Sequence, residues 1–256
     1  MAPQARRTHG ANDDGYASTD RAALAATALE VTRRLVALYG EPAWSAEGPL
    51  GVLIGTILSQ RTRDAQTGAA YAALKRRFPS WETMRDAPLV EVQKAIANVN
   101  WPELKAPRLQ QIARQVTAER GALNLDFLCD LPAEDALAWL LKLTGVGPKT
   151  AACTLLFACR KPVLPVDVHV HRVSIRLGLI APKVTEEAAH DLLQALLPPD
   201  ARIVYDYHNS LLLHGQRVCV GGRPRCDRCA LTSLCAYYRA NVEDQAKSET
   251  VEHGTC

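Results

Sequence analysis

An all-α fold is what this chain predicts, and three observations predict it. Apolar residues recur at three- and four-residue intervals through most of the length, the period of a helix face. No segment of useful length alternates apolar with polar residues. The best strand candidate, Val163-Leu164-Pro165-Val166, carries a proline that a central strand would reject. The chain of 256 residues is 48% apolar and 22% charged, enough for one large or two modest globular domains with a real core. It holds no apolar run long enough to suggest a membrane span and no internal repeat.

The elements follow in order. Residues 1–20 are polar, lack the apolar stretch of a secretory signal, and read as a disordered tail. Residues 22–39 form a periodic helix with Asp20 and Gly40 as plausible caps. The unbroken apolar run over 50–58 predicts a buried helix, and 64–78 an amphipathic one ending in Lys75-Arg76-Arg77. Ser80 is placed to cap a short helix, with Thr83 at the third helical position, where a capping box usually has Glu. Helices are expected over 89–98, 107–120, 132–143, 148–158, 167–177, 185–197 and 204–213, and Gly178 stops one of them. Residues 241–256 carry four acidic residues against Lys247 and form an acidic tail of net charge −3, so the formal +3 of the chain leaves +6 on the rest. That balance suits a nucleic-acid partner without proving one.

The segment Leu143-Thr144-Gly145-Val146-Gly147-Pro148-Lys149-Thr150 reads as a tight glycine turn opening a helix. Gly145 and Gly147 let the backbone turn sharply and approach a phosphate. The helix after them offers free N–H groups and a positive dipole end to an anion. Leu141, Leu143 and Val146 are expected to bury the turn's apolar side, and the preceding helix completes a helix–hairpin–helix unit. A plain packing joint is the bland alternative. Lys149 is either a solvated counter-charge or a nucleophile, and a nucleophile must first lose its proton, which desolvation and the helix start would favour. Asp167 follows 18 residues later, immediately before a helical stretch, where capping is the commonest role of an Asp. One carboxylate oxygen can cap while the other faces a substrate. His169 and His171, two residues apart, point to different helix faces and do not suggest a metal site; they read as structural or DNA-facing.

Four of the eight cysteines, Cys219, Cys226, Cys229 and Cys235, lie in a C-x6-C-x2-C-x5-C pattern. Thiolates at this density point to a metal or cluster site in a reducing compartment rather than a disulfide framework. Zinc sites usually use two close pairs, and here only Cys226 and Cys229 form one; a single cluster wrapped by a compact segment is favoured. Arg223 and Arg225 sit in the first loop of the pattern and would point outward. Cys153 and Cys159 read as buried helix residues.

Taken together, Leu-Thr-Gly-Val-Gly-Pro-Lys-Thr-Ala and the later Val-Asp-Val-His-Val-His-Arg-Val resemble the endonuclease III branch of the helix-hairpin-helix DNA glycosylases, over roughly residues 25 to 238. The cysteine spacing is similar to that family's [4Fe–4S] pattern. The resemblance implies a two-lobed helix-hairpin-helix glycosylase fold with a DNA groove and base pocket between the lobes. A six-helix barrel would span 47–159. A discontinuous cluster lobe would join 21–46 to 160–240. It implies Lys149 as the nucleophile and Asp167 as the catalytic aspartate. Contacts to DNA would come from Gln60, Arg61, Thr62, Gly145, Val146, Gly147, Thr150, His169, Arg172, Arg223 and Arg225, and the four cysteines would hold a [4Fe–4S] cluster.

The function so implied is a cytoplasmic, monomeric base-excision enzyme, nucleoid-associated if bacterial. Its partner is double-stranded DNA with a damaged base or abasic site, and no membrane is involved. It would remove oxidised or damaged pyrimidines through a lysine Schiff base and cut the strand by β-elimination. The sequence departs from the family pattern at Thr144, where many relatives have Pro, at Pro148, where a basic residue is common, and at Arg61, where a glutamine often fills the gap left by a flipped base. An alkylated-purine or mismatch glycosylase on the same scaffold stays open. So do a non-catalytic DNA-binding protein and a zinc-bound structural module. Adenine-specific relatives generally lack the lysine, which lowers that branch.

Overall fold

The computed structural model describes residues 15–18 and 20–243. Among them helices carry the fold and no strand forms. The one pairing of extended backbone is an antiparallel bridge between Tyr16 and Ile180. The chain divides into two compact units, one formed by Met1–Pro42 with Val166–Cys256 and the other by Ala43–Pro165.

The discontinuous unit opens with α1 (Arg21–Tyr39). Asp20 caps it by accepting the Ala23 N–H at 2.9 Å, and Gly40 ends it with φ 83°. The contiguous unit carries α2 (Pro49–Ser59), α3 (Asp64–Arg77), α4 (Trp81–Asp86), α5 (Leu89–Ala95), α6 (Pro102–Arg120), α7 (Ala133–Leu141) and α8 (Pro148–Cys159). In α2 every residue but Gly55 and Ser59 is buried, which is why its sequence shows no polar face. The Ser80 and Thr83 side chains cap α4 reciprocally, with Thr83 doing what Glu usually does. The core of this unit runs through Leu53, Ile57, Leu74, Met84, Ile96, Leu109, Leu140 and Leu155. Truncating any of these leucines to alanine should cost about 2–5 kcal/mol.

The returning chain adds α9 (Val168–Leu177), α10 (Glu186–Gln194) and α11 (Ala201–Arg217), with α11 packed on α1 and α9. A Cβ at Gly215 would lie 2.8 Å from His169 Cβ, so only glycine permits the close approach of α9 and α11. Thr185 and Asp200 cap the two later helices through their side chains.

Several expectations need correction. Helix α6 begins at Pro102, not at residue 107. A proline suits the first turn, but Pro102 occupies that place, and Pro107 lies deeper, where it forgoes one hydrogen bond. The helix expected over 89–98 stops at Ala95. The disordered tail expected over 1–20 fails at residues 15–18. Tyr16 is only 2% exposed, its hydroxyl donates to Leu192 O at 3.0 Å, and Ala181 N–H donates to Gly15 O at 2.9 Å. A lone tyrosine in a polar stretch gave no periodic signal. Residues 1–14 and 19 lie outside the described residues, as does the acidic tail beyond Glu243.

Cys159 is not simply a buried helix residue. It ends α8 and is disulfide-bonded to Cys129, 30 residues earlier, whereas Cys153 is buried and free. The bridge closes the loop that contains α7 and the glycine turn. Chain-entropy arguments give a loop of this length about 3–4 kcal/mol of stabilisation. Cys159→Ser should therefore lower the urea midpoint by an amount equivalent to about 3 kcal/mol. An unchanged midpoint with a free Cys129 thiol in the wild type would show that the bridge does not form in solution.

Candidate active site

In the contiguous unit the glycine turn joins α7 to α8. Leu143 N–H bonds Leu140 O and Val146 N–H bonds Leu143 O, so the chain tightens as α7 ends. Gly145 has φ +79°, and a Cβ there would lie 2.5 Å from Arg108 Nε. The positive φ favours glycine at 145, and any side chain there would also have to displace that of Arg108. Gly147 has φ −97° and open space where its Cβ would be; it caps α8 with no side chain at all. Leu143 and Val146 are buried as expected, but Leu141 is exposed, on the outer face of α7. Sequence reasoning missed Arg108, whose guanidinium packs on the turn.

Lys149 is the second residue of α8, in the first turn where N–H groups have no intrahelical partner. It is half-buried, and its ammonium makes no hydrogen bond or ion pair with another described residue. The next residue, Thr150, is buried. Its hydroxyl accepts from Gln60 Nε2 at 3.4 Å, which brings the Gln60-Arg61-Thr62 turn against the start of α8. Arg61 holds a left-handed conformation, φ 49°, and its guanidinium lies 5.9 Å from the ring centre of Trp101, itself at φ 55° and 45% exposed. Lys105, Asn100 and Trp101, none of them foreseen from sequence, surround this turn.

In the discontinuous unit Asp167 caps α9. Its Oδ1 accepts from the His169 N–H at 2.9 Å and the Val170 N–H at 2.8 Å, and Oδ2 accepts nothing among the described residues. The cap and a free carboxylate oxygen therefore coexist. His171 Nε2 meets Val184 O at 2.8 Å, a structural contact. Arg172 is engaged within its own unit. Its nitrogens bond Cys219 O, Gly215 O, Val168 O and His169 Nδ1, which engages four of its five N–H donors inside the unit. Arg223 is exposed. Arg225 is exposed too, but one Nη donates to Arg217 O at 2.9 Å.

Cys219, Cys226, Cys229 and Cys235 are free thiols lining one pocket, together with Arg176, Pro224, Tyr237 and others. Arg176 Nη1 reaches Cys219 Sγ at 3.3 Å and Val220 O at 2.7 Å, and His214 Nε2 lies 3.5 Å from Cys229 Sγ. Burial pushes the Cys229 thiol up to about 11, and burial raises those of Cys226 and Cys235 as well. At these three thiols burial disfavours the thiolate, and a positive group would favour it. Among the described residues no three His, Cys, Asp or Glu side chains converge as a single metal ion requires. Thiolates bind both zinc and iron–sulfur clusters, and the donor chemistry of these four side chains fits either.

A family model described as HhH-GPD superfamily base excision DNA repair protein matches residues 54–199. Endonuclease III of Thermotoga maritima is 34% identical over 202 residues, 79% of this chain and 89% of that protein. The Arabidopsis thaliana protein named DNA glycosylase/AP lyase ROS1 is 25% identical over 173 residues, 62% of this chain but only 12% of that much longer one. The solved structure of a trapped endonuclease III–DNA covalent intermediate matches with a TM-score of 0.72 at 22% identity, over 84% of this chain and 97% of that one. The chain belongs to the HhH-GPD superfamily of base excision DNA repair proteins, and its all-α architecture is that of the helix-hairpin-helix glycosylases. It is a DNA glycosylase of the endonuclease III type.

The two glycines separate folding from function. Gly145→Ala should destabilise the protein by about 1–3 kcal/mol, the scale of a forced left-handed residue. Gly147→Ala should stay within about 0.5 kcal/mol of wild type. Thermal unfolding of both variants checks this, and equal losses would remove the special role of position 145.

Proposed function

We propose that the protein is a bifunctional glycosylase and abasic-site lyase that removes oxidised or otherwise damaged pyrimidines from duplex DNA, with Lys149 as nucleophile and Asp167 as its carboxylate partner. The observation that carries this reading is Lys149 itself: a half-buried amine without a partner, in the first turn of α8, directly after the glycine turn. A base inside the stack hides its sugar C1′, so the nucleotide must be extruded first. The free N–H groups of α8 and the turn would bind backbone phosphate. Gln60, Arg61 and Thr62 would meet the DNA where the base has left, and Arg223 would add a phosphate contact. The neutral Lys149 amine attacks C1′ while the C1′–N bond breaks and the base departs with its electron pair. The amine then gives up one proton, O4′ takes up a proton as the C1′–O4′ bond opens, and the nitrogen lone pair forms the protonated Schiff base. Its positive charge acidifies C2′–H, and loss of that proton expels the 3′ phosphate. The free Oδ2 of Asp167 opposes the positive charge that develops on the sugar.

For the cysteine pocket the same reading is a [4Fe–4S] cluster held by Cys219, Cys226, Cys229 and Cys235. When bound, it supplies a rigid cross-link that orders the loop bearing Arg223 and Arg225. Arg176 and His214 would hold the sulfurs from outside the ligand set, as their contacts with Cys219 and Cys229 suggest.

Three measurements test these assignments. Borohydride should trap a covalent adduct on duplexes bearing an oxidised pyrimidine or an abasic site, and Lys149→Ala should lose the adduct while binding DNA as before. Undiminished trapping in that variant would take the nucleophile's role away from Lys149. Asp167→Asn keeps the cap but removes the charge; base release should fall about 100-fold or more with little change in melting. Normal turnover would leave Asp167 as a cap only. Purified protein should contain close to four irons per chain and be yellow-brown. A colourless folded protein with one zinc would refute the cluster.

A further inference from the structure

Lys105 is 4% exposed, yet no acidic residue pairs with it. Its ammonium instead has three oxygen partners, one for each proton: Leu58 O at 2.7 Å, Gln60 O at 2.8 Å and Thr62 Oγ1 at 2.8 Å. All three belong to the end of α2 and the turn that follows it. Thr62 Oγ1 also accepts the Asn100 N–H at 3.2 Å and lies 3.3 Å from Gln60 O, and Asn100 Nδ2 donates to Arg61 O. Every residue of the Gln60-Arg61-Thr62 turn is therefore held, through backbone or side chain, by Lys105 or Asn100.

The hold has something to resist. Arg61 sits at φ 49°, a conformation an L side chain adopts only where its surroundings over-determine it. Desolvation of the ammonium alone is unfavourable, and burial pushes Lys105 down to about 8. A methionine would fill the same space without that penalty. A charged group kept in so dry a place, with two protons aimed at the turn and the third at the end of α2, indicates that the turn's geometry matters more than the local stability.

We propose that Lys105 is a positioning residue that, with Asn100, locks the Gln60-Arg61-Thr62 turn in the strained shape from which Arg61 engages the gap left by an extruded base. This rests on the reading of that turn as the part that meets lesion DNA. The same lock bears on Lys149, because Gln60 reaches Thr150, its neighbour on α8. The bland alternative is that Lys105 only terminates α2, a cation satisfying the last carbonyls of a helix.

A double-mutant cycle separates the two. The readout is the ratio of affinities for a duplex with a stable abasic-site analogue and for the undamaged duplex of the same sequence, with melting recorded alongside. Arg61→Ala should cut that ratio about 10-fold, roughly half on a logarithmic scale of the loss seen when a misplaced group costs two orders of magnitude. Lys105→Met should cut it by a similar factor, and the double variant should fall no further than either single, since both remove one interaction. Additive losses, or a lower melting temperature with an intact ratio in Lys105→Met, would reduce Lys105 to a helix terminator. If Arg61→Ala keeps full discrimination, the reading of the turn falls and this inference with it. If only Arg61→Ala loses discrimination, this inference alone fails. Should Lys105→Met not fold, Asn100→Ala removes the other half of the lock at an exposed position, and the same non-additivity with Arg61→Ala is required.

Discussion

Helix α8 is buried along most of its length: Thr150 through Leu156 have almost no contact with solvent, and α2 packs along it. That packing is the constraint from which the rest of the contiguous unit follows. A helix this apolar cannot slide or rotate without exposing leucines that are each worth a few kcal/mol. Its first turn is therefore fixed, and Lys149 with it. Helix α2 is equally buried and ends where α8 begins, so the turn after Ser59 arrives beside Thr150. Two segments about 90 residues apart in the chain meet because two hydrophobic helices have no other place to go.

Three positive-φ residues of this unit lie near the proposed chemistry, while a further one, Arg160 at φ 52°, ends α8 at its far end. Arg61, Trp101 and Gly145 all have positive φ. Gly145 belongs to the glycine turn and Arg61 to the turn after α2, and Trp101 lies against Arg61. Such conformations cost of order 1–3 kcal/mol each for a non-glycine residue and persist only where neighbours hold them. At Arg61 the holders are Lys105 and Asn100; at Gly145 the glycine itself relieves the cost and Arg108 occupies the space a side chain would need.

Much of this was legible in the sequence because it is local. Periodicity, the Asp20 cap, the Ser80–Thr83 box and the glycine turn need only near neighbours, and each is present where the pattern places it. The fold class followed from the same periods. What the sequence hid is non-local. Tyr16 is buried by residues 176 positions away, Cys129 and Cys159 pair across 30, and Lys105 acts on oxygens 43 to 47 residues earlier. Arg172 was expected at the DNA only through the family resemblance, which says nothing of its partners inside the unit. Here the Gly215 notch draws α11 against His169, and the carbonyls of Gly215 and Cys219 come within reach of its guanidinium.

Helix α9 ties the two halves of the discontinuous unit's proposed role together. Asp167 stands at its N-terminus; Arg172 and Arg176 follow on the next turns, four residues apart and so on one face. Arg172 grips Cys219 O, while Arg176 grips Cys219 Sγ, Val220 O and Gly222 O. From the opposite side the chain returns to α9 through Cys235 Sγ, which meets Arg176 O. The cysteine loop and the carboxylate cap are thus two ends of one ten-residue rod. On the proposed reading, a group that cross-linked the four half-buried thiols would steady the loop against the helix that presents Asp167, without touching substrate.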